Sequence, residues 1–354
     1  MLDKRTWLRG RGTPNNPPNR FELLSYSPDP EAQEDTPQPA TQLLRDPART
    51  ILSYNDSPDV GFTVSLNPYR GCEHGCIYCY ARPTHEWLGF SAGLDFETRI
   101  LVKEDAPRLL HKALSSSHWR PQTIALSGVT DPYQPIERRL RLTRRCLEIL
   151  AAWRNPVAVV TKNALVTRDC DLFAELAQVN AAAVFVSITT LDVQLARVME
   201  PRASTPSRRL AAINSLAQAG IPVGVMVAPV IPGLTDHEMP AILQAAAQAG
   251  AQFAGHTIVR LPYAVSDLFT QWLEAHYPER KNKVLNRIRA IRQGKLNDPR
   301  WHIRMRGQGV FAESIHALFA TACRKAGFSR SGPMLSAAAF RRPQANAQFS
   351  LFPE

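Results

Sequence analysis

Thiols are scarce in this chain, with six cysteines in 354 residues. That is too few and too uneven a spread for the disulfide framework of a small secreted scaffold. Long apolar runs are missing too. The most apolar stretch, IPVGVMVAPVIPG, is shorter than the ~20 residues that span a bilayer, and it carries three prolines. The opening MLDKRTWLRGRGTPNNPPNR holds no apolar core of a secretory signal. No membrane association is expected, and the reading places the chain in the cytoplasm. There cysteines stay reduced, so a local group of them speaks for metal or redox chemistry. Neither a GxGxxG nor a P-loop is present, which removes the fingerprints of the nucleotide-binding open sheets. Acidic charge is the minority sign: 31 Asp and Glu stand against 42 Lys and Arg, a formal net charge of +11. That balance suits a polyanionic partner, nucleic acid first.

What is present is an alternation. Residues 1–50 are rich in Pro, Asn, Gln and acidic groups (SPDPEAQEDTPQPA). They carry too little apolar area to offset chain entropy and are expected to be disordered. Beyond them, TVSLN, TIALSG, VAVVTK, AVFVSIT, VGVMVAPV and HTIVRLP are short runs rich in β-branched residues, separated by stretches long enough for a helix. SRRLAAINSLAQAG and TDHEMPAILQAAAQAG read as helices stopped by Gly220 and Gly250, the second opened by a Thr235–Glu238 capping box. The runs do not alternate in polarity, as parallel strands buried on both faces would not. Six strand–helix units predict an α/β fold, an open doubly wound sheet or a partial barrel, over residues 51–265. Residues 266–342 read as a C-terminal helical cap with aromatic anchors and a basic stretch, and 343–354 as a flexible tail.

Three of the six cysteines fall in GCEHGCIYCY, as Cys72, Cys76 and Cys79. A structural zinc site wants four protein ligands, and His74 or His85 would have to complete it. An iron–sulfur cube held by three thiolates keeps one iron open for an outside ligand. The triad follows the first parallel strand, and ligands bind beyond the carboxyl ends of such strands. The remaining cysteines, Cys146, Cys170 and Cys323, stand singly in helical contexts and read as packing residues.

Cys-x3-Cys-x-aromatic-Cys, here with Tyr78 before Cys79, resembles the signature of the radical S-adenosylmethionine (SAM) superfamily. The segments SGVTDPYQPIE, VVTKNALVTRD, VSITTLD, EPRASTPSRRL and APVIPGLTD look like its spore photoproduct lyase-like branch, and more like an uncharacterised group within that branch than the lyase itself. The resemblance implies a partial (β/α)6 TIM-like barrel and a [4Fe-4S] cluster on the three cysteines. It also implies SAM on the open iron, an external electron donor, and a radical that abstracts a substrate hydrogen. It places Ser127, Gly128, Thr130 and Asp131 at the SAM amino group, Lys162 at its carboxylate, Ser187 at its methionine or ribose, and residues 228–232 along the adenine. Physically, a Ser/Thr/Asp cluster offers acceptors to an ammonium, and a lysine a charge-assisted contact to a carboxylate. The same TDP stretch is also turn chemistry, and Ser187 could be a core hydroxyl bonded to backbone. Glu137, Arg197, Glu200 and Arg202 lie near connections, where a structural ion-pair role is the safer reading.

One departure bears on the reaction. Where the lyase carries the cysteine that returns a hydrogen atom, this sequence has Leu126; Cys146 lies further on in a helix, and Tyr133 is a candidate substitute. Two further features point at DNA. Residues 280–306 interleave cations with Trp301 and His302, as strand-binding surfaces do. QFSLF near the C-terminus, with Gln348, Leu351 and Phe352, resembles the peptide by which bacterial repair proteins dock on the sliding clamp. The expected function is a radical SAM enzyme acting on nucleic acid, at a DNA lesion or modified base. The alternatives are an RNA- or protein-modifying enzyme of the same class and a noncatalytic metal-stabilised DNA-binding adaptor.

Overall fold

The computed structural model describes residues 7–22, 39–328 and 332–343. Its strands are β1 (Gln42–Arg45), β2 (Leu52–Tyr54), β3 (Val64–Leu66), β4 (Tyr69–Arg70), β5 (Arg99–Val102), β6 (Ile124–Leu126), β7 (Val157–Thr161), β8 (Ala182–Ser187), β9 (Val223–Val230) and β10 (Phe253–Ile258). Its helices are α1 (Leu94–Thr98), α2 (Ala106–Ser115), α3 (Glu137–Leu140), α4 (Leu142–Trp153), α5 (Cys170–Ala177), α6 (Val193–Met199), α7 (Pro206–Gln218), α8 (Met239–Gln248), α9 (Ala264–His276), α10 (Pro278–Ala290) and α11 (Val310–Ala326).

The main sheet runs β10-β9-β8-β7-β6-β3-β2. The six strands from β3 to β10 in this order are parallel neighbours, while β2 pairs antiparallel with β3. Parallel neighbours taken in chain order, with helices between most of them, make the walk of a β/α barrel. Its two end strands, β2 and β10, do not pair with each other among the described residues, so the barrel is partial. Val64, Leu66, Ile124, Leu126, Val157, Val159, Val184 and Val186 are fully buried, which is why these runs read as continuous apolar segments. The last strand begins earlier than HTIVRLP suggests, at Phe253, and its register shifts between His256 and Ile258, which pairs with Val230.

Gly220 and Gly250 stop α7 and α8 at φ of +72° and +100°. The Thr235–Glu238 capping box does not form. Thr235 Oγ1 accepts Ile231 N–H at 3.0 Å, and Glu238 accepts Thr190 Oγ1 and Leu191 N across the barrel top. Tertiary partners have outbid the local pair.

Within the segment expected to stay disordered, residues 7–22 and 39–50 are described and parts of them pack on the barrel. β1 pairs parallel with β5, Gln42 opposite Arg99, in a small β1-β5-β4 sheet, and Thr13 is fully buried. At the other end, Leu268, Phe269 and Trp272 of α9 are buried as anchors, and α11 packs on α8. The basic stretch is helical only through α10; residues 291–309 are turns and loop. Many of its cations are occupied internally. Lys281 pairs with Glu274, Arg287 with Asp236, Arg300 with Asp298 and Arg304 with Asp59, and Arg292 is buried against the Ile303 and Val259 carbonyls. Lys283, Arg289, Lys295 and Arg306 remain exposed. No helix among the described residues is long and apolar enough to cross a membrane. Gln348, Leu351 and Phe352 lie outside the described residues.

Candidate functional site

The cysteine loop leaves β4 at Gly71 and turns again at Gly75, with φ of +80° and +68°. Both turns are tight against the protein. A Cβ on Gly71 would sit 2.8 Å from His85 Cε1, and one on Gly75 2.8 Å from Glu97 Oε2. Backbone bonds pin the loop: Cys72 N donates to Phe96 O (2.9 Å) and Ile77 N to Met199 O (3.1 Å). The fully buried Arg82 holds it from beneath, donating through Nε to Cys76 O (3.0 Å) and through Nη2 to Glu97 Oε1 (2.6 Å). Glu97 Oε2 in turn accepts Gly12 N–H at 2.9 Å, so the N-terminal segment is part of the loop's scaffold.

Cys72, Cys76 and Cys79 line a cavity of about 260 Å³ beyond the carboxyl ends of the parallel strands. Tyr78, Ser127, Gly128, Thr130, Asp131, Lys162 and Ser187 line the same cavity, although they come from three different connections and the end of β8. Burial pushes the Cys72 thiol well above the ordinary thiol range, with Asp131 adding to it, and raises Cys76 and Cys79 as well. Such thiols ionise when a cation replaces the proton. Among the described residues, no three His, Cys, Asp or Glu side chains converge as a single ion requires. A cubane takes each thiolate on a different iron, so its ligands need to line one cavity, and these three do. His74 is occupied: Nδ1 lies 3.4 Å from Asp131 Oδ2 and Nε2 3.1 Å from Asn163 Nδ2. His85 packs beside Phe90 and Phe96 and faces the Arg99 carbonyl at 2.9 Å, away from the cavity.

The expected SAM-binding residues are tightly wired. Asp131 Oδ1 accepts Tyr133 N (2.8 Å) and Thr161 Oγ1 (2.7 Å), and Oδ2 accepts Lys162 N (2.7 Å). Burial opposes its charge, but His74 and these donors overcome it and hold the carboxyl below its usual range. Asp131 therefore clamps two strand ends to the cysteine loop. Lys162 Nζ donates to Ser187 Oγ (3.0 Å), Thr189 Oγ1 (3.2 Å) and Ala228 O (2.8 Å), and lies 3.4 Å from Glu200 Oε1. An ammonium has three protons, so a further anion would have to displace one of these acceptors.

Glu200 is the hub of this side. Its buried carboxylate also takes Arg209, the Tyr78 hydroxyl and Thr189. Burial alone would raise its pKa; Arg209 and Lys162 reverse that and hold it well below the carboxylate range. Glu137 is equally structural but elsewhere, accepting Tyr69 OH at 2.5 Å and Arg168 Nη2 at 2.8 Å. Arg202 pairs with Glu73 at 3.2 Å, and Arg197 is exposed on α6.

Leu126 is fully buried in β6. Cys146 is buried in the core of α4, and the Tyr133 hydroxyl donates to Asp169 at 3.0 Å; neither lines the cavity. Beside Tyr78, the cavity is lined by a second phenol, Tyr80, which sequence reading passed over although it directly follows Cys79. Arg260, just beyond β10, was passed over as well; its guanidinium lies over the Tyr80 ring at 5.0 Å. The available signal was a lone cation ending the last apolar run, IVRLP.

Comparison with known proteins accords with this geometry. Residues 66–246 match the radical SAM superfamily. An uncharacterised protein of Mycobacterium tuberculosis is 39% identical over 250 residues, covering 69% of this chain and 72% of the relative. One from Methanocaldococcus jannaschii is 29% identical over 222 residues, covering 63% and 79%. Among solved structures, spore photoproduct lyase complexed with dinucleoside spore photoproduct superposes with a TM-score of 0.58 at 18% identity, covering 80% of this chain and 79% of that one. The superposition shows a shared fold, and the sequence match shows the family: the chain belongs to the radical SAM superfamily of enzymes.

Proposed function

We propose that the protein cleaves SAM at a [4Fe-4S] cluster held by Cys72, Cys76 and Cys79 and acts on a lesion or modified base in DNA. The observation that carries this is the single cavity in which the three cysteines, Cys72 and Cys76 buried and Cys79 partly so, meet the ends of the parallel strands. When bound, the cluster and SAM supply reductive sulfonium cleavage and a carbon radical that takes a substrate hydrogen, with electrons from an external donor. The protein's own groups do the positioning. Glu200 holds the Tyr78 hydroxyl and the Lys162 ammonium, so the aromatic beside Cys79 and the cation that would meet the SAM carboxylate share one anchor. Asp131 fixes the backbone of Lys162 and the His74 ring. The Ser127–Thr130 turn, tied to Leu66 O and Asn67 Oδ1, would present its polar atoms to the SAM amino group, and Ala228 and Pro229, the part of residues 228–232 that lines the cavity, an apolar wall to the adenine. The Tyr80 hydroxyl donates to Gly128 O at 2.5 Å, which fixes the phenol at the cavity wall.

In this reading residues 51–265 are the catalytic barrel and 266–342 the cap. The likeness to a lyase bound to a dinucleoside photoproduct, the basic surface and the exposed Lys283, Arg289, Lys295 and Arg306 support a DNA substrate. The Leu126 position and the burial of Cys146 support a reaction that does not return hydrogen from a cysteine outside the triad.

Anaerobically reconstituted protein with reductant and SAM is expected to yield 5′-deoxyadenosine, and deuterium transfer will identify the substrate. Zinc in place of iron, with no 5′-deoxyadenosine, would overturn the assignment in favour of a noncatalytic adaptor. The tail is proposed to dock on a sliding clamp. Replacing Leu351 and Phe352 by Ala should abolish capture by the clamp, and unchanged capture removes that part.

A further inference from the structure

Among the described residues, Arg260 lacks a paired counter-charge. It follows β10 and lines the cavity, yet it forms no ion pair with a carboxylate among the described residues. Its Nε is buried without a hydrogen-bond partner, and its one side-chain contact of that kind is a weak one from Nη1 to Met305 Sδ at 3.6 Å. Asp59, the carboxylate close enough to influence it, is already taken by Arg304 Nε at 2.5 Å and His302 N at 2.6 Å. A guanidinium half-withdrawn from water without an acceptor is costly, and is retained where an anion arrives to complete it.

The geometry also says from where. Tyr80 beneath Arg260 is 45% exposed, and Val129 and Val160 on the same cavity are 40% and 37% exposed, so this is the mouth. The lysine of the cavity, Lys162, is already paired with Glu200 at 3.4 Å. Tyr80 comes from the loop after the first parallel strand and Arg260 from the end of the last, so the pair bridges the open seam of the barrel.

We propose that Arg260 is the substrate's anion anchor, binding a backbone phosphate of the nucleic acid at the cavity mouth while Tyr80 offers its ring to the adjoining base or sugar. This rests on the nucleic-acid reading above. Guanidinium geometry suits a bidentate contact to phosphate, and aromatic faces stack on bases without sequence preference.

The test compares reconstituted wild-type protein with Arg260→Gln and Arg260→Lys, matched for iron content and melting temperature. The probes are a short single-stranded oligonucleotide and the same strand with one neutral methylphosphonate linkage moved along it. Arg260→Gln is expected to weaken oligonucleotide binding about tenfold and to lower the salt slope by about one, with Lys intermediate and SAM affinity unchanged. One linkage position should weaken the wild type and leave Arg260→Gln unaffected, and this is the deciding readout. If no position does so, or if the variant loses SAM affinity while keeping the oligonucleotide, the anion is not substrate phosphate and the inference fails alone. If the wild type itself binds no oligonucleotide, the nucleic-acid reading fails and takes the inference with it.

Discussion

At the scale of single residues, the site is a set of buried charges that exist only in pairs. Glu200 is 3% exposed and Arg209 1% exposed, and each is the other's compensation. Glu200→Gln should therefore destabilise the fold by about 3–5 kcal/mol, because it strands a buried guanidinium. Denaturant melts will show it, and a change below ~1 kcal/mol would mean the pair is solvated. Serine at any one of Cys72, Cys76 and Cys79 is expected to reduce bound iron to background and abolish 5′-deoxyadenosine, while serine at Cys146 leaves both intact. His85 gives a pH prediction. Burial lowers its pKa from 6.5 to about 4, so the folded state keeps it neutral where the unfolded chain protonates it. Between those values the unfolded state binds more protons, and stability falls as pH drops, by up to about 1.4 kcal/mol per pH unit from this group. His85→Leu should flatten that part of the stability–pH curve; an unchanged slope would assign it to other groups.

At the scale of elements, the cysteine loop depends on a segment far from it in sequence. A Cβ on Gly12 would lie 1.7 Å from the Gly75 carbonyl oxygen, and backbone cannot give way as a flexible side chain does. Gly12→Ala is expected to displace the loop and cut cluster occupancy several-fold while far-UV circular dichroism stays that of the wild type. Gly61→Ala, which meets nothing within 4 Å, is the control. Iron content equal in the two variants would show that the loop holds itself. The parallel strands were legible in the sequence because burial on both faces makes each an unbroken apolar run. The Thr235–Glu238 pair misled because the Thr190 hydroxyl and the Leu191 backbone N–H, in the loop after β8, occupy Glu238.

At the scale of the whole molecule, the partial barrel leaves a seam between its first and last strands, and contacts across it are long-range. Arg304 and His302 reach Asp59, and Arg260 covers Tyr80. Asp59→Ala should cost about 1–3 kcal/mol by leaving Arg304 unpaired. It should also speed proteolysis within residues 291–309, and equal cleavage rates would show that the seam closes by other means. The basic stretch illustrates why charge read along the chain overstates a binding surface: Lys281, Arg287, Arg292, Arg300 and Arg304 are committed internally, and the chain order does not reveal which cations have partners.

The chemistry-bearing triad, the strand–helix rhythm and the basic balance were determined by the sequence itself, since spacing, periodicity and composition are local properties. Tertiary structure alone decided that Asp131 and Lys162 are already engaged, that Glu200 ties Tyr78 to Lys162, that Gly12 braces the cysteines, and that Arg260 lies over Tyr80 at the mouth. Each of these is a contact between residues dozens to hundreds of positions apart, and only the closing of the chain brings such groups within hydrogen-bond or van der Waals range.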